Sequence, residues 1–164
     1  MLTQRIAIDL KNMEMTMKAI VYTKYGSPDV LHLEEIKKPV PGDNEVLIKV
    51  HATSVTAGDC NARGFVFVPP GLGFVSRLVF GLRKPKQPIL GVELSGEIVD
   101  VGKDVRLFKK GDQVFGISVK YGAYAEYICM AEDASLVVKP RNLTCAEAAS
   151  IPFGATTALY FLRD

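Results

Sequence analysis

The chain has 164 residues, a net charge of +2, an apolar share of 48% and a charged share of 23%, enough for one packed domain or one domain plus a piece of another. Acidic and basic residues are interspersed, which excludes the concentrated basic face of a nucleic-acid binder. Three widely spaced cysteines, Cys60, Cys129 and Cys145, form neither a disulfide framework nor a CxxC metal knuckle, and they point to a reducing, cytoplasmic setting.

In chain order, residues 1–16 read as a disordered extension. Asp9 and Lys11 stand too early for a signal-peptide apolar core. An ordered domain is expected over 17–150, opening on a strand at Met17–Tyr22 and a turn at Tyr25-Gly26-Ser27-Pro28. A second strand is expected at Val30–Ile36, with His32 and Glu34 facing away from Leu31 and Leu33. Glu45–Ser54 alternates cleanly, Val46, Ile48 and Val50 on one face and Lys49 and His51 on the other. Thr56–Gly64 reads as a turn into a short helix.

Residues 65–82 are the most apolar run, but Pro69-Pro70-Gly71 and Arg77 break it, and a membrane span needs about 20 unbroken apolar residues. The run is expected to be a buried or partner-covered loop with a short helix near Phe74–Leu82, and no membrane partner is expected. Leu90–Gly116 then reads as two strands around a charged turn, with Gly91, Gly96 and Gly102 as bends or close approaches. Ala123–Met130 and Leu136–Lys139 bring the pattern to roughly seven short strands, an all-β arrangement of barrel or sandwich kind. Thr144-Cys145-Ala146-Glu147 fits a capping box opening a helix to about Ser150. Pro152 opens another that is still apolar at Leu162, and residues 151–164 read as the start of a link to a further domain.

Candidate chemistry is sparse in the residues alone. His32 and His51, the only histidines, sit in strands without a ligand at metal spacing. Gly71-Leu72-Gly73 begins a GxGxxG but has Ser76 at its last position and no strand before it. Gly91 and Gly96 have Walker spacing, yet Glu97 stands where the lysine belongs. No nucleophile elbow is present.

Five segments taken together are more informative: MKAIVYTKYGSPDVLHLEE, PVPGDNEVLIKVHATSVTAGD, ILGVELSGEIVDVGKDVRLFKKGDQVFG, GAYAEY and AASIPFGATTAL. In this order they resemble the medium-chain dehydrogenase/reductase superfamily over nearly all of residues 17–164. The resemblance is to the catalytic, GroES-like half, and it implies a mainly β, partly open barrel with short helices. The zinc alcohol dehydrogenases of that superfamily carry a cysteine where this chain has Thr56, and GHE where it has Gly91-Val92-Glu93. They also carry a four-cysteine lobe that is absent here. The resemblance is therefore to the zinc-free branch, the quinone oxidoreductases of zeta-crystallin type, with no metal.

That resemblance implies NADP as cofactor, a small quinone or α,β-unsaturated carbonyl as substrate, and a possible homodimer. It places Thr56 and Tyr124 as catalytic candidates, and Thr56, Asp59, Arg63 and Thr157 toward the cofactor, with Glu93 unassigned. Without a metal, hydroxyl groups must stabilise charge developing on oxygen. The nucleotide-binding half is expected beyond Asp164, so the chain alone is expected to be inactive. The rival reading is a stand-alone, non-enzymatic binding or assembly module using the 65–82 patch and last helix as partner surfaces.

Overall fold

The computed structural model describes residues 15–66, 68, 71–81 and 84–163. Its strands are β1 (Thr16–Tyr22), β2 (Leu31–Lys37), β3 (Glu45–Thr53), β4 (Glu93–Val101), β5 (Gln113–Ile117), β6 (Tyr127–Ala131) and β7 (Leu136–Val138). Four helices accompany them: α1 (Ala57–Gly64), α2 (Gly73–Phe80), α3 (Cys145–Ala149) and α4 (Pro152–Leu162).

The period-two alternation of β3 becomes the centre of the fold. β3 pairs with β4 on one side and β6 on the other, and β5 and β7 extend the sheet in the order β6-β3-β4-β5-β7, antiparallel throughout. Val46, Ile48, Leu94, Ile98 and Val114 are wholly buried between these strands, with Ile128, Met130 and Leu136 around them. Removing a fully buried aliphatic side chain of this kind costs about 2–5 kcal/mol. Register shifts between Leu47 and Ile48 and between Val50 and Ala52 bend the β3–β4 ladder, as bulges do in barrel walls. At Gly96 the strands approach so closely that a Cβ would lie 2.1 Å from the Lys49 carbonyl oxygen.

β1 and β2 form a separate two-stranded sheet, Met17 opposite Ile36 through Tyr22 opposite Leu31. Two isolated bridges, Ala19 to Ala125 and Val21 to Ile89, join it to the rest over a small core of Met17, Ala19, Val21 and Ala125. The result is an open, mainly β architecture of two sheets, as expected from the strand pattern.

Several boundaries differ from the sequence reading. Residues 28–30 form a 3-10 turn before β2, and Leu33 is exposed on the rim of an open groove between the β1–β2 sheet and β3. Only the second half of the expected Ala123–Met130 strand joins the sheet. The first half turns toward β1, where Ile20 donates from its N–H to the Tyr124 carbonyl at 2.8 Å. The 65–82 run contains α2; Val66, Leu72, Phe74, Val75, Leu78 and Phe80 are exposed rather than buried, while Phe65 is half-buried against the Tyr25 ring. Up to residue 14, the expected extension lies outside the described residues.

α3 starts as predicted: Thr144 Oγ1 accepts from the Glu147 N–H, and the Glu147 carboxylate accepts from the Thr144 N–H. Its Ala148 and Ala149 are buried. α4 follows with Pro152 in its first turn, and beyond that proline its side chains face outward.

Candidate functional site

The site forms where β3 ends and α1 begins. Thr56 caps α1 with extended backbone angles. Its Oγ1 accepts from the Asp59 N–H at 3.2 Å, while Asp59 Oδ2 accepts from the Thr56 N–H at 2.9 Å. The same carboxylate oxygen takes the Thr56 hydroxyl proton at 2.6 Å. Asp59 Oδ1 reaches across to the segment leading into β4 and accepts from the Gly91 N–H at 2.9 Å in a buried bond. Asp59 is only 2% exposed, and a carboxylate is retained at that depth because each of its oxygens has donors. Asp59 therefore fastens the start of α1 to the turn at Gly91.

Gly91 has φ +92°, and a Cβ there would sit 2.8 Å from the Tyr124 backbone nitrogen and closer still to its ring. The Tyr124 ring thus lies directly on a glycine that no other residue could replace without displacement. Its phenol donates to the Ser54 carbonyl at 3.3 Å, a long bond. Burial first, and the neighbouring Asp59 carboxylate second, hold the Tyr124 hydroxyl well above its ordinary pKa. Tyr121 is pushed up for the same two reasons. At neutral pH both are hydrogen-bond donors.

A second buried carboxylate stands two residues after Gly91. Glu93, 4% exposed, accepts a short hydrogen bond from the Ser54 hydroxyl at one oxygen and the Phe153 N–H at 2.7 Å at the other. Thr53 Oγ1 donates to the Glu93 carbonyl at 2.7 Å. β4, the end of β3 and the first turn of α4 are joined through this side chain.

Of the residues singled out from the sequence, Thr56, Asp59 and Tyr124 come together. Arg63 does not join them: its Nη1 donates to the Gly26 carbonyl at 2.7 Å, and its own carbonyl accepts from the Gly26 N–H, tying the end of α1 to the turn after β1. Thr157 is exposed on α4, with no hydrogen bond to the Thr56–Asp59 pair. The sequence reading left Glu93 unassigned and missed its Ser54 and Phe153 partners. The available signal was a carboxylate within the nearly continuous apolar run Leu90–Leu94.

Among the described residues, no three His, Cys, Asp or Glu side chains converge as a metal site would require. Thr56 and Val92, at two positions where zinc enzymes of the resembled superfamily place ligands, offer no thiolate or imidazole. An open groove of about 570 Å³ runs between the β1–β2 sheet and β3, bordered by Ala19, Leu31, Leu33, Thr53, Val55 and Tyr124. It gives a small apolar molecule access to one edge of the Tyr124 ring.

Comparison with known proteins agrees with this architecture. The model of the alcohol dehydrogenase GroES-like domain matches residues 42–141. The chain belongs to that family. It is 38% identical over 146 residues to the mitochondrial NAD(P)H oxidoreductase RTN4IP1 of Dictyostelium discoideum, and 36% identical over 143 residues to a quinone oxidoreductase of Sus scrofa. Each match covers 87% of this chain and 39% of the relative. The quinone oxidoreductase structure from Coxiella burnetii superposes with a TM-score of 0.76 at 36% identity, over 90% of this chain and 44% of that one. The Escherichia coli quinone oxidoreductase, solved with NADPH, does so with a TM-score of 0.74 at 26% identity, over 90% and 40%. The GroES-like domain described here thus corresponds to about two fifths of those relatives, in the quinone oxidoreductase branch of the medium-chain dehydrogenase/reductase superfamily.

Proposed function

We propose that this domain is the substrate side of a zinc-independent oxidoreductase that reduces quinones or α,β-unsaturated carbonyls with NADPH. The observation that carries the reading is the pairing of Tyr124, a phenol kept protonated beside a buried carboxylate, with a ligand-poor position at Thr56 and Val92. The relatives' names supply the reaction class.

The residues present fit only one end of such a cofactor. No described segment runs from a strand through a glycine-rich turn into a helix. Leu72 caps α2 without a preceding strand, so a diphosphate has no cradle here. When bound to a complete enzyme, the nicotinamide supplies a hydride. On the substrate, the hydride adds at the carbon conjugated to the carbonyl, the electron pair moves to the carbonyl oxygen, and a solvent proton completes the product. The Tyr124 O–H is the donor available to that oxygen, since its bond to Ser54 is long and easily exchanged.

Of the two roles that the resemblance implies for Thr56, its hydrogen bonds favour the one toward the cofactor. The Thr56 hydroxyl already donates to Asp59 at 2.6 Å, so it can accept a further hydrogen bond, whereas donating one would take that bond from the buried carboxylate. That suits it to an amide N–H, such as that of a nicotinamide carboxamide. Arg63 acts by holding the α1 terminus. The free cysteines favour a reducing compartment such as the cytoplasm.

The deciding experiment joins residues 15–164 to the nucleotide-binding half of a quinone oxidoreductase. The chimera is expected to oxidise NADPH with a quinone or enone and to keep its rate after dialysis against a chelator, while the chain alone gives no turnover. Turnover that needs added zinc would refute the metal-free reading. Turnover by the isolated chain would refute the two-domain one.

A further inference from the structure

α2 is built inside out. Its polar residues, Ser76 and Arg77, are half-buried, while Phe74, Val75 and Leu78, neighbours on one face, are exposed to 70%, 57% and 48%. Leu72 before it and Phe80 at its end are exposed as well. The polar side is fastened to the protein. The Arg77 guanidinium lies 4.7 Å over the Phe65 ring and 5.5 Å from Tyr25, the Tyr25 hydroxyl donates to the Phe80 carbonyl at 2.9 Å, and Lys86 Nζ donates to the Leu78 carbonyl at 2.8 Å. A helix meeting only water turns the other way.

The charge around this face is one-sided. Between Cys60 and Val92 the sequence holds no aspartate or glutamate, and its charged residues are Arg63, Arg77, Arg83, Lys84 and Lys86. The even mixture of charges found elsewhere fails in this one stretch, and it fails beside the exposed apolar face. Lys84 and Lys86 are exposed next to it.

We infer that α2 and the adjoining lysines dock on an anionic lipid surface, with Phe74, Val75 and Leu78 entering the headgroup boundary and Lys84 and Lys86 contacting phosphates. Exposed apolar residues with flanking bases, and no acids among them, have the composition of an interfacial helix. A protein partner would match an apolar face as well, but it gives no reason for excluding every carboxylate over such a length. No helix of the described residues is long and apolar enough to cross a membrane, so the contact is peripheral. This revises the expectation that the chain has no membrane partner.

The test is co-sedimentation of the chain with vesicles of phosphatidylcholine alone and of phosphatidylcholine mixed equally with phosphatidylglycerol. Binding is expected to the mixed vesicles, and it should weaken as salt rises. Phe74→Asp combined with Val75→Asp should lower it about tenfold or more. Lys84→Glu, which leaves the apolar face intact, should lower it about fivefold. Phe161→Asp, on the exposed part of α4, should leave it unchanged, and circular dichroism establishes that each variant is folded. No binding to mixed vesicles overturns the inference. So does binding that survives both the Phe74→Asp, Val75→Asp variant and Lys84→Glu, or self-association in light scattering that the Phe74→Asp, Val75→Asp variant abolishes.

Discussion

Asp59 shows what one carboxylate can organise. Both of its oxygens accept from buried or half-buried donors, and one of those donors, the Gly91 N–H, belongs to a segment 32 positions away. Asp59→Asn keeps the shape but turns an amide N–H₂ toward donors at Thr56 or Gly91. The expected loss is about 1–3 kcal/mol in a urea titration. Tyr124→Phe removes the long bond to Ser54 and the phenol's interaction with the Asp59 carboxylate, so stability should fall by about 1 kcal/mol. In the chimera, turnover should nevertheless fall about a hundredfold if this phenol serves the developing oxyanion. An unchanged rate would remove Tyr124 from the mechanism. The sequence reading placed a turn into a short helix at Thr56–Gly64 without pairing Thr56 with Asp59, although their spacing is that of a capping box. The consequence, that the Thr56 proton is already committed, needed coordinates.

Among the elements, legibility followed burial. β3 and β4 could be read because their inward positions, Val46, Ile48, Leu94 and Ile98, meet a core that enforces a period of two. In β2 the alternation of His32 and Glu34 with Leu31 and Leu33 fits the regular β1–β2 register, but Leu33 is exposed all the same. The expected strand from Ala123 split because two sheets compete for its backbone: Ala125 bridges to Ala19, and Tyr127 begins the pairing with β3. α2 could be placed but not oriented, since a sequence shows an apolar face without showing which side the body of the protein occupies. The same holds for Glu93, whose two partners lie on different elements. Glu93→Gln keeps a buried group of the same length but offers only one carbonyl oxygen to Ser54 and Phe153. The expected result is faster amide hydrogen exchange at Phe153 and its neighbours in α4, with the β3–β4 ladder still protected. Equal deprotection of both would show that Glu93 supports the whole sheet.

At the scale of the whole molecule, tyrosines set a limit in alkali. Burial, then the neighbouring Tyr25 and Tyr121, raise Tyr22 from 10.0 to about 12, and Tyr121 and Tyr124 move in the same direction. A phenol whose folded pKa lies above its unfolded value contributes stability below pH 10 and loses it as pH climbs through the folded pKa. Burial likewise raises the Cys129 thiol from 9.0 to about 11, so stability measured by urea titration should begin to fall above about pH 9 and fall more steeply from about pH 10 toward pH 12. Tyr22→Phe should flatten that fall. A variant as steep as the parent would assign the alkaline loss to other groups.

The attachment of α4 has a mechanical consequence. Pro152 is its one buried residue, and the Phe153 N–H is its bond to Glu93, so the helix is gripped at one end and free along the rest. From Phe153 to Leu162, at about 1.5 Å per residue, it forms an arm of about 14 Å. A tilt of about ten degrees at the grip would carry the tip through about 2 Å, roughly half the width of a side-chain contact. Whatever is joined to that tip would have its aim set by the hydrogen bond between one carboxylate and one peptide group.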